Sequence, residues 1–323
     1  MPGIKGRMTG EYDARSESAV IVGVDTAIGF ALAHSLRKAG FGVIGFGEAE
    51  KEPCNGLLGY CRTDYSSYGD IPEECNLLLF CHDAAFRPDR HAAAMEALCR
   101  KISEKRPSDK PIAVCVFTPA NACDCTGKTI TEDAALMPRS LRNLAHVQAE
   151  MMLHAWHAVS KRVILPRSFR YGELYADMPN EIPLAGHVNA CLRKVRRHER
   201  LVSPGLGNQR RTLTHLEDFA NMVALVVSQD FIPSVTNIPG ETMEIIEYMM
   251  PLEKNPEMEM FMDIGHYDDD LPYGVGDRVL YCPQFMAGKK NSFKYSLRHK
   301  FRDWAAALPE NAPGLESFDI TKA

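Results

Sequence analysis

The sequence lacks three features that mark special classes of protein. It contains no Cys-x-x-Cys pair, which argues against zinc ribbons and thioredoxin-like redox motifs. It has no uncharged apolar run of about 18 residues, which argues against a membrane-spanning helix. It has no excess of positive charge, since the formal net charge is -5. That balance argues against a general nucleic-acid binder, because phosphate contacts depend on surplus Lys and Arg.

The first 17 residues also lack the apolar segment of a signal peptide. We therefore expect a frayed tail over 1–17 and a soluble, cytoplasmic protein with no membrane or nucleic-acid partner. Ten cysteines are present, and most lie in apolar runs, which is typical of reduced core thiols. Only Cys123 and Cys125 are close enough in sequence to share a metal, and no Cys or His stands beside them. We expect no metal site, with that pair as the less favoured alternative.

Length and composition are those of an ordinary globular protein, with 323 residues, 45% hydrophobic and 24% charged. Apolar runs alternate with helical periodicity in the first half of the chain. The expected strands are 18–24, 43–46, 59–62, 76–82, 111–117 and 162–165, and the expected helices are 28–39, 90–105 and 141–157. This alternation predicts an α/β fold with a doubly wound, Rossmann-like parallel sheet over 18–170. Later helices near 181–198, 215–229 and 293–307 suggest a smaller C-terminal substrate-binding lobe over 171–323.

A glycine-containing turn joins the first expected strand to the first helix. Gly23 and Gly29 stand six residues apart with Thr26 midway, and the helix begins within this turn. Glycines in such a turn let bare backbone N–H groups and the helix N-terminus approach a pyrophosphate. A strand-helix turn that binds nothing is the alternative. Glu48, 19 residues past Gly29, is placed to hold ribose hydroxyls and favours NAD without excluding NADP.

With these residues the sequence resembles the extended branch of the short-chain dehydrogenase/reductase superfamily, the NAD-dependent nucleotide-sugar epimerases and dehydratases. The resemblance runs from about residue 18 to 304. It rests on several ordered motifs, namely Gly23 to Gly29, Thr63-Asp64, His82-Asp83-Ala84-Ala85, Tyr171-Gly172, the segment 205–218 with its Gln-Arg-Arg, and the segment 235–240.

The resemblance implies an NAD cofactor and a nucleotide-sugar substrate. The residues it assigns to the cofactor are Gly23, Thr26, Ala27, Ile28, Gly29, Glu48, Asp64, Tyr65, Asp83, Ala84 and Ala85. It assigns Asn180 and Arg211 to the diphosphate of the sugar nucleotide, and a guanidinium suits that role because it can bond an anion bidentately. A surface salt bridge is the alternative for Arg211. The resemblance also implies a homodimer paired through the helices 90–105 and 141–157.

The acid-base motif of that family is missing. The family uses a Tyr with a Lys four residues later, and none of the eleven tyrosines here has a Lys at that position. Alignment puts Arg142 at the Tyr, His146 at the Lys and Ala120 at the family's Ser or Thr, with Thr118 two residues earlier. A guanidinium stays protonated in proteins and cannot act as the base. His146 and Thr118 are therefore the candidate catalytic residues, although a packing or cofactor-contacting role is the favoured alternative for His146.

Three interpretations follow from these patterns. The favoured one is an NAD(P)-binding protein of the epimerase/dehydratase type that acts on a nucleotide sugar with an atypical acid-base set. The alternative is a catalytically silent sensor or subunit that binds a dinucleotide or a sugar nucleotide. The least favoured is a scaffold that has lost both ligands, suggested by Thr26 and Phe169.

Overall fold

The computed structural model describes residues 17–66, 68–82, 88–124, 129–176, 186–196, 201–204, 207–250, 261–263, 277–282 and 294–297. Its strands are β1 (Ser18–Val22), β2 (Gly42–Gly47), β3 (Gly59–Arg62), β4 (Leu77–Phe80), β5 (Ile112–Pro119), β6 (Ile164–Tyr171), β7 (Glu173–Tyr175), β8 (Val202–Pro204), β9 (Arg210–His215), β10 (Val235–Asn237), β11 (Glu241–Glu244) and β12 (Phe261–Asp263). Its helices are α1 (Ala27–Lys38), α2 (Pro88–Lys105), α3 (Leu141–Val159), α4 (His187–Arg196), α5 (Leu216–Val227) and α6 (Ile245–Met249), and a short 3₁₀ turn spans Ala120–Ala122.

Seven strands form one sheet in the order β10-β6-β5-β4-β1-β2-β3. Every neighbouring pair in it is parallel. All five residues of β1 are buried, as expected for a central strand that is covered on both faces. The prediction of a doubly wound, Rossmann-like parallel sheet is confirmed.

Local signals set the limits of α1. Thr26 is the N-cap, and its hydroxyl accepts a hydrogen bond from the Gly29 N–H. At the other end Gly40 adopts φ +96°, and the N–H of Phe41 donates to the Leu36 carbonyl. This is the left-handed glycine stop that the sequence predicts.

Alternate residues of the central strands enter two separate cores. Ala19 and Ile21 pack in the core that contains α1 and α5, whereas Val20 and Val22 pack in the core that contains α2 and α3. The sheet therefore lies between two helical layers. Both α5 and β10 follow residue 170 in the chain yet pack on this sheet. The predicted division at 170/171 consequently describes the order of the chain and not a spatial boundary.

Two short sheets lie apart from the seven-stranded sheet. One has the strand order β11-β9-β7, and the other pairs β12 with β8. The expected helices near 181–198 and 215–229 are present as α4 and α5. Most of the helix expected at 293–307 lies outside the described residues, as does the tail 1–17 apart from Glu17.

Gly172 permits the close approach of β6 and β7 to β9. A Cβ at this position would lie 2.0 Å from the Thr212 carbonyl oxygen. We expect Gly172→Ala to lower the free energy of unfolding by about 2–3 kcal/mol, because a backbone atom cannot move aside as a side chain can. Urea unfolding measures this. Gly59→Ala is the control, since a Cβ at Gly59 meets no atom within 4 Å, and equal losses in the two variants would contradict the prediction.

Candidate functional site

The candidate site lies at the point where the strand order reverses. β1 has β2 on one side and β4 on the other, and ligands of open parallel sheets bind outside the carboxyl ends of the strands at such a point. A cleft of about 300 Å³ opens there. Its lining comes from the glycine turn, the ends of β4 and β5, the start of α3, the chain after β6, and β9.

The glycine turn is shaped by its own backbone contacts. Gly23 adopts φ +81°, and a Cβ there would lie 2.8 Å from the carbonyl group of Cys81. A Cβ on Gly29 would lie 2.0 Å from the Gly23 carbonyl oxygen. Thr26 stands at the middle position, and its hydroxyl donates toward the Gly23 carbonyl oxygen at 2.8 Å and the Cys81 carbonyl oxygen at 3.1 Å. The Thr26 side chain therefore clamps the turn from within.

The first turn of α1 fits the pyrophosphate of a dinucleotide. Thr26, Ala27 and Ile28 all line the cleft. The N–H groups of Ala27 and Ile28 have no intrahelical acceptor, because they belong to the first turn of the helix. Donors of this kind at a helix N-terminus form an anion site.

The start of α3 forms a second wall of the cleft. Ser140 caps the helix by accepting a hydrogen bond from the Asn143 N–H. Arg142 and His146 are four residues apart, so they lie on the same face of the helix, and both line the cleft. Two nitrogens there, Arg142 Nε and His146 Nδ1, are buried and have no hydrogen-bond partner among the described residues. A buried polar atom without a partner is costly, so both atoms suit a ligand in the cleft.

Three imidazoles, those of His82, His91 and His146, cluster in the lining of the cleft. His82 Nδ1 and His91 Nδ1 are 3.2 Å apart, and the His91 and His146 rings are 4.9 Å apart between centroids. Burial and, after it, the Arg142 charge lower the pKa of His146 to about 3. Burial likewise lowers the pKa of His91 well below its ordinary value. His146, predicted as a catalytic residue, therefore lines the cleft as a neutral ring at pH 7.

The other predicted catalytic residue, Thr118, lies outside the cleft lining. Its side chain is fully buried, and its hydroxyl donates to Glu150 Oε2 at 2.5 Å. Glu150 also pairs with Arg170, whose Nη2 lies 3.4 Å from Glu150 Oε1. The hydroxyl thus belongs to a buried polar network in the core, where each partner satisfies another.

Arg211, which the resemblance assigns to a diphosphate, lines the cleft. It is 3% exposed on β9 and lines the cleft together with Arg142 and Arg278. Among the described lining residues these three guanidiniums face a single carboxylate, Glu173. The cleft is therefore positively charged, which suits a diphosphate.

Glu173 is a site residue that the sequence reasoning missed. It follows Gly172 directly, and its Oε1 accepts from the Val188 N–H at 2.5 Å. Burial raises the pKa of Glu173 to about 7, and the Val188 hydrogen bond and the Arg211 charge oppose that rise. A carboxyl group with such a pKa can both take and give a proton near neutral pH. The only sequence signal was its position beside the Tyr171-Gly172 motif.

This pKa predicts a pH-dependent stability. The folded protein holds a proton on Glu173 at pH values where the unfolded chain has lost it. The stabilisation of the folded state that comes from this proton is therefore present near pH 4.5 and is lost as the pH rises through about 7. We expect Glu173→Gln to gain stability relative to wild type between pH 5 and 8, by up to ~3 kcal/mol. Urea unfolding at several pH values measures the difference. Glu104→Gln on α2 controls for the substitution itself, and a difference independent of pH would contradict the assignment.

Two predicted cofactor residues line a separate recess. Glu48 and Asp64 flank it together with Arg62 and Thr63. Glu48 is exposed, and Asp64 accepts hydrogen bonds from the N–H and the hydroxyl of Ser66. Tyr65 is buried and packs edge-on against His82 at 4.6 Å between centroids. The predicted residues Asp83, Ala84, Ala85 and Asn180 lie outside the described residues.

Other features of the described residues bear on function as well. The nine cysteines among them are free thiols, eight of them buried, and Cys125 lies outside this part of the chain. Within the same residues no group of three or more His, Cys, Asp or Glu side chains could hold a metal ion. No helix in the described part of the chain is long and apolar enough to cross a bilayer.

Comparison with solved structures places the chain among similar folds. No family model and no curated protein matches the sequence. The chain is similar to a dTDP-glucose 4,6-dehydratase from Bacillus anthracis in complex with NAD, with TM-score 0.68, 14% identity and coverage of 90% of this chain and 96% of that one. It is similar to a UDP-glucose 4-epimerase from Thermotoga maritima with UDP-glucose, with TM-score 0.67, 16% identity and coverage of 90% and 97%.

A third similar structure is an NAD-dependent NDP-hexosamine 5,6-dehydratase of tunicamycin biosynthesis. The TM-score is 0.71 at 18% identity, with coverage of 91% of this chain and 99% of that one. At such identities the comparisons establish the fold. The resemblance drawn from the motifs is thereby confirmed at the level of the fold, and it extends over nearly the whole length of both chains.

Proposed function

We propose that this protein binds NAD and a nucleotide sugar together in the described cleft and transforms the sugar with an acid-base set of its own. One observation carries the proposal. The first turn of α1 and the guanidinium-bearing strand β9 line the same cleft, so two separate anion sites face one space. A dinucleotide and a sugar nucleotide each carry a diphosphate, which matches those two sites.

The similar structures support the choice of ligands. The dehydratase from Bacillus anthracis is in complex with NAD, and the epimerase from Thermotoga maritima is with UDP-glucose. In this chain Ala27 and Ile28 would hold the NAD pyrophosphate, and Arg211 would hold the diphosphate of the sugar nucleotide. When bound, NAD supplies a reversible acceptor for hydride.

The proton chemistry in this proposal rests on Glu173. It is the carboxylate among the described lining residues, and its pKa of about 7 suits exchange with a sugar hydroxyl at neutral pH. His146 is neutral at that pH, so its unpartnered Nδ1 serves better as a hydrogen-bond partner of the ligand than as a base. The Arg142 guanidinium adds a hydrogen-bond donor to the same wall.

The second candidate function is binding without turnover, as a sensor or subunit. One observation favours it. The positions aligned with the family's catalytic groups hold Ala120, Arg142 and the neutral His146, none of which can take a proton from a hydroxyl at pH 7. Both candidates require the same two ligands, so turnover distinguishes them.

Incubation with NAD and a panel of UDP- and dTDP-sugars tests the proposal. Mass spectrometry and NMR detect loss of water, oxidation or inversion of a ring carbon. We expect conversion of at least one sugar nucleotide. A panel that stays unchanged while both ligands bind would establish the silent alternative, and absence of binding by either ligand would overturn both candidates.

We also propose a homodimer that pairs through α2 and α3. These helices pack side by side, and Leu144 and Met151 of α3, one heptad apart, are 38% and 62% exposed. Apolar side chains in a row on a helix favour burial against a partner. Light scattering after size-exclusion chromatography would give twice the 36.0 kDa chain mass, and Met151→Glu would lower the dimer fraction.

A further inference from the structure

The end of β2 lacks the side chain that a dinucleotide site ordinarily has there. In such sites a carboxylate at the end of the second strand, about 20 residues past the glycine turn, binds the adenosine ribose hydroxyls. Here β2 ends at Gly47, which has no side chain. The next residue, Glu48, is exposed and meets the neighbouring groups through its backbone N–H.

Asp25, a residue of the glycine turn, places a carboxylate at the end of β2. A Cβ built on Gly47 would lie 2.6 Å from Asp25 Oδ1, so the Asp25 carboxylate stands against the last residue of β2. Asp25 Oδ2 accepts from the Glu48 N–H at 2.7 Å and from the Ala49 N–H at 2.9 Å. A residue of the glycine turn is thereby fixed at the carboxyl end of the second strand.

Tyr65 holds this carboxylate from a strained backbone conformation. Its φ is +62°, a left-handed conformation that is uncommon for a residue other than glycine. Its phenol donates to Asp25 Oδ1 at 3.2 Å. Burial and the Asp25 charge raise the pKa of Tyr65, so the phenol stays protonated and remains a donor.

The three bonds leave the carboxylate able to accept another. An ionised carboxylate offers about four acceptor positions, and Asp25 receives three hydrogen bonds from the chain. Asp25 is also partly exposed. The neighbouring recess adds the carboxylates of Glu48 and Asp64 against the guanidinium of Arg62, so its charge disfavours a further anion.

We infer that Asp25, supplied by the glycine turn in place of a residue at the end of β2, binds the adenosine ribose and selects NAD against NADP. The inference rests on the proposed NAD site. The carboxylate accepts a hydrogen bond from a ribose hydroxyl, and it repels the 2′-phosphate that NADP carries at that position. Glu48, the residue that spacing suggested, contacts Asp25 through its backbone N–H.

Calorimetric titration of NAD and NADP into wild type, Asp25→Asn, Glu48→Gln and Glu50→Gln tests the inference without any turnover. Wild type is expected to bind NAD more tightly than NADP. Asp25→Asn is expected to lower the ratio of the NADP dissociation constant to the NAD dissociation constant by about tenfold, because the substitution removes the charge of the side chain and keeps its shape. Glu50→Gln, in the same exposed segment, is the matched control. Glu48→Gln is expected to change the ratio far less than Asp25→Asn does, because the Glu48 carboxylate acts only through the charge of the recess.

Thermal melts verify that each variant folds. If Asp25→Asn does not fold, Tyr65→Phe replaces it in the test. This variant keeps the Asp25 carboxylate and removes one of the hydrogen bonds that orient it, so a smaller decrease in the ratio is expected. The inference is overturned if Glu48→Gln changes the ratio of the two dissociation constants and Asp25→Asn does not. It is also overturned if wild type binds NAD and NADP equally tightly. Binding of NAD by Asp25→Ala but not by wild type would show that Asp25 obstructs the site. Failure of wild type and all variants to bind either dinucleotide would instead overturn the proposed function.

Discussion

Glu173→Gln is expected to lower the turnover of the sugar nucleotide by about 10²–10⁴-fold, the usual contribution of a positioned acid-base group. Glutamine keeps the size of the side chain and can still accept the Val188 N–H bond. It cannot exchange a proton. The loss should therefore appear in kcat, with the dissociation constants of NAD and the sugar nucleotide little changed.

The pH profile separates this role from a structural one. In the direction that removes a proton from the sugar, the carboxylate form of Glu173 is required, so the wild-type rate should rise through about pH 7. Glu173→Gln should lack that rise, and Glu104→Gln should retain both rate and profile. A variant that lost affinity and kept the wild-type profile would contradict the assignment.

Arg211→Met is expected to weaken UDP-glucose binding by about 100-fold, because two charge-assisted hydrogen bonds contribute about 1.5–3 kcal/mol each and are not fully additive. The guanidinium is buried, and its Nη1 donates to the Arg210 carbonyl at 2.9 Å, so it is already oriented toward the cleft wall. NAD binding should be little changed, since the glycine turn is a separate anion site. Calorimetry with each ligand measures both effects.

Two further variants sharpen this test. Arg211→Lys should bind with intermediate affinity, because an ammonium keeps the charge but lacks the planar fork. Arg210→Met removes the exposed neighbouring guanidinium and should bind as wild type does. Equal losses of NAD and UDP-glucose affinity in Arg211→Met would show a general structural defect and would contradict a specific diphosphate site.

Features set by neighbours in sequence were predictable. The limits of α1 follow from Thr26 and Gly40, whose effects reach only three or four residues along the chain. The apolar run at Ser18 predicted a strand buried on both faces, and β1 is one. The glycine turn was likewise visible, because its position between a strand and a helix is encoded locally.

Features that depend on distant contacts were not predictable. β10 pairs with β6 in the sheet although the two strands are more than 60 residues apart in the chain. No pattern in the neighbouring sequence predicts this pairing. The pKa of Glu173 comes from burial under other elements, and a residue beside a motif carries no sign of it. Spacing favoured Glu48 for the ribose, whereas the fold brings Asp25 to the end of β2 from 22 residues upstream of Gly47.

Native mass spectrometry of the folded protein with NAD and UDP-glucose tests the central claim most directly. The account predicts a species that carries one molecule of each ligand per chain, and it predicts that Arg211→Met retains the NAD adduct and loses the UDP-glucose adduct. Two ligands that only ever displace one another, or no adduct with either, would contradict a cleft that joins two separate diphosphate sites.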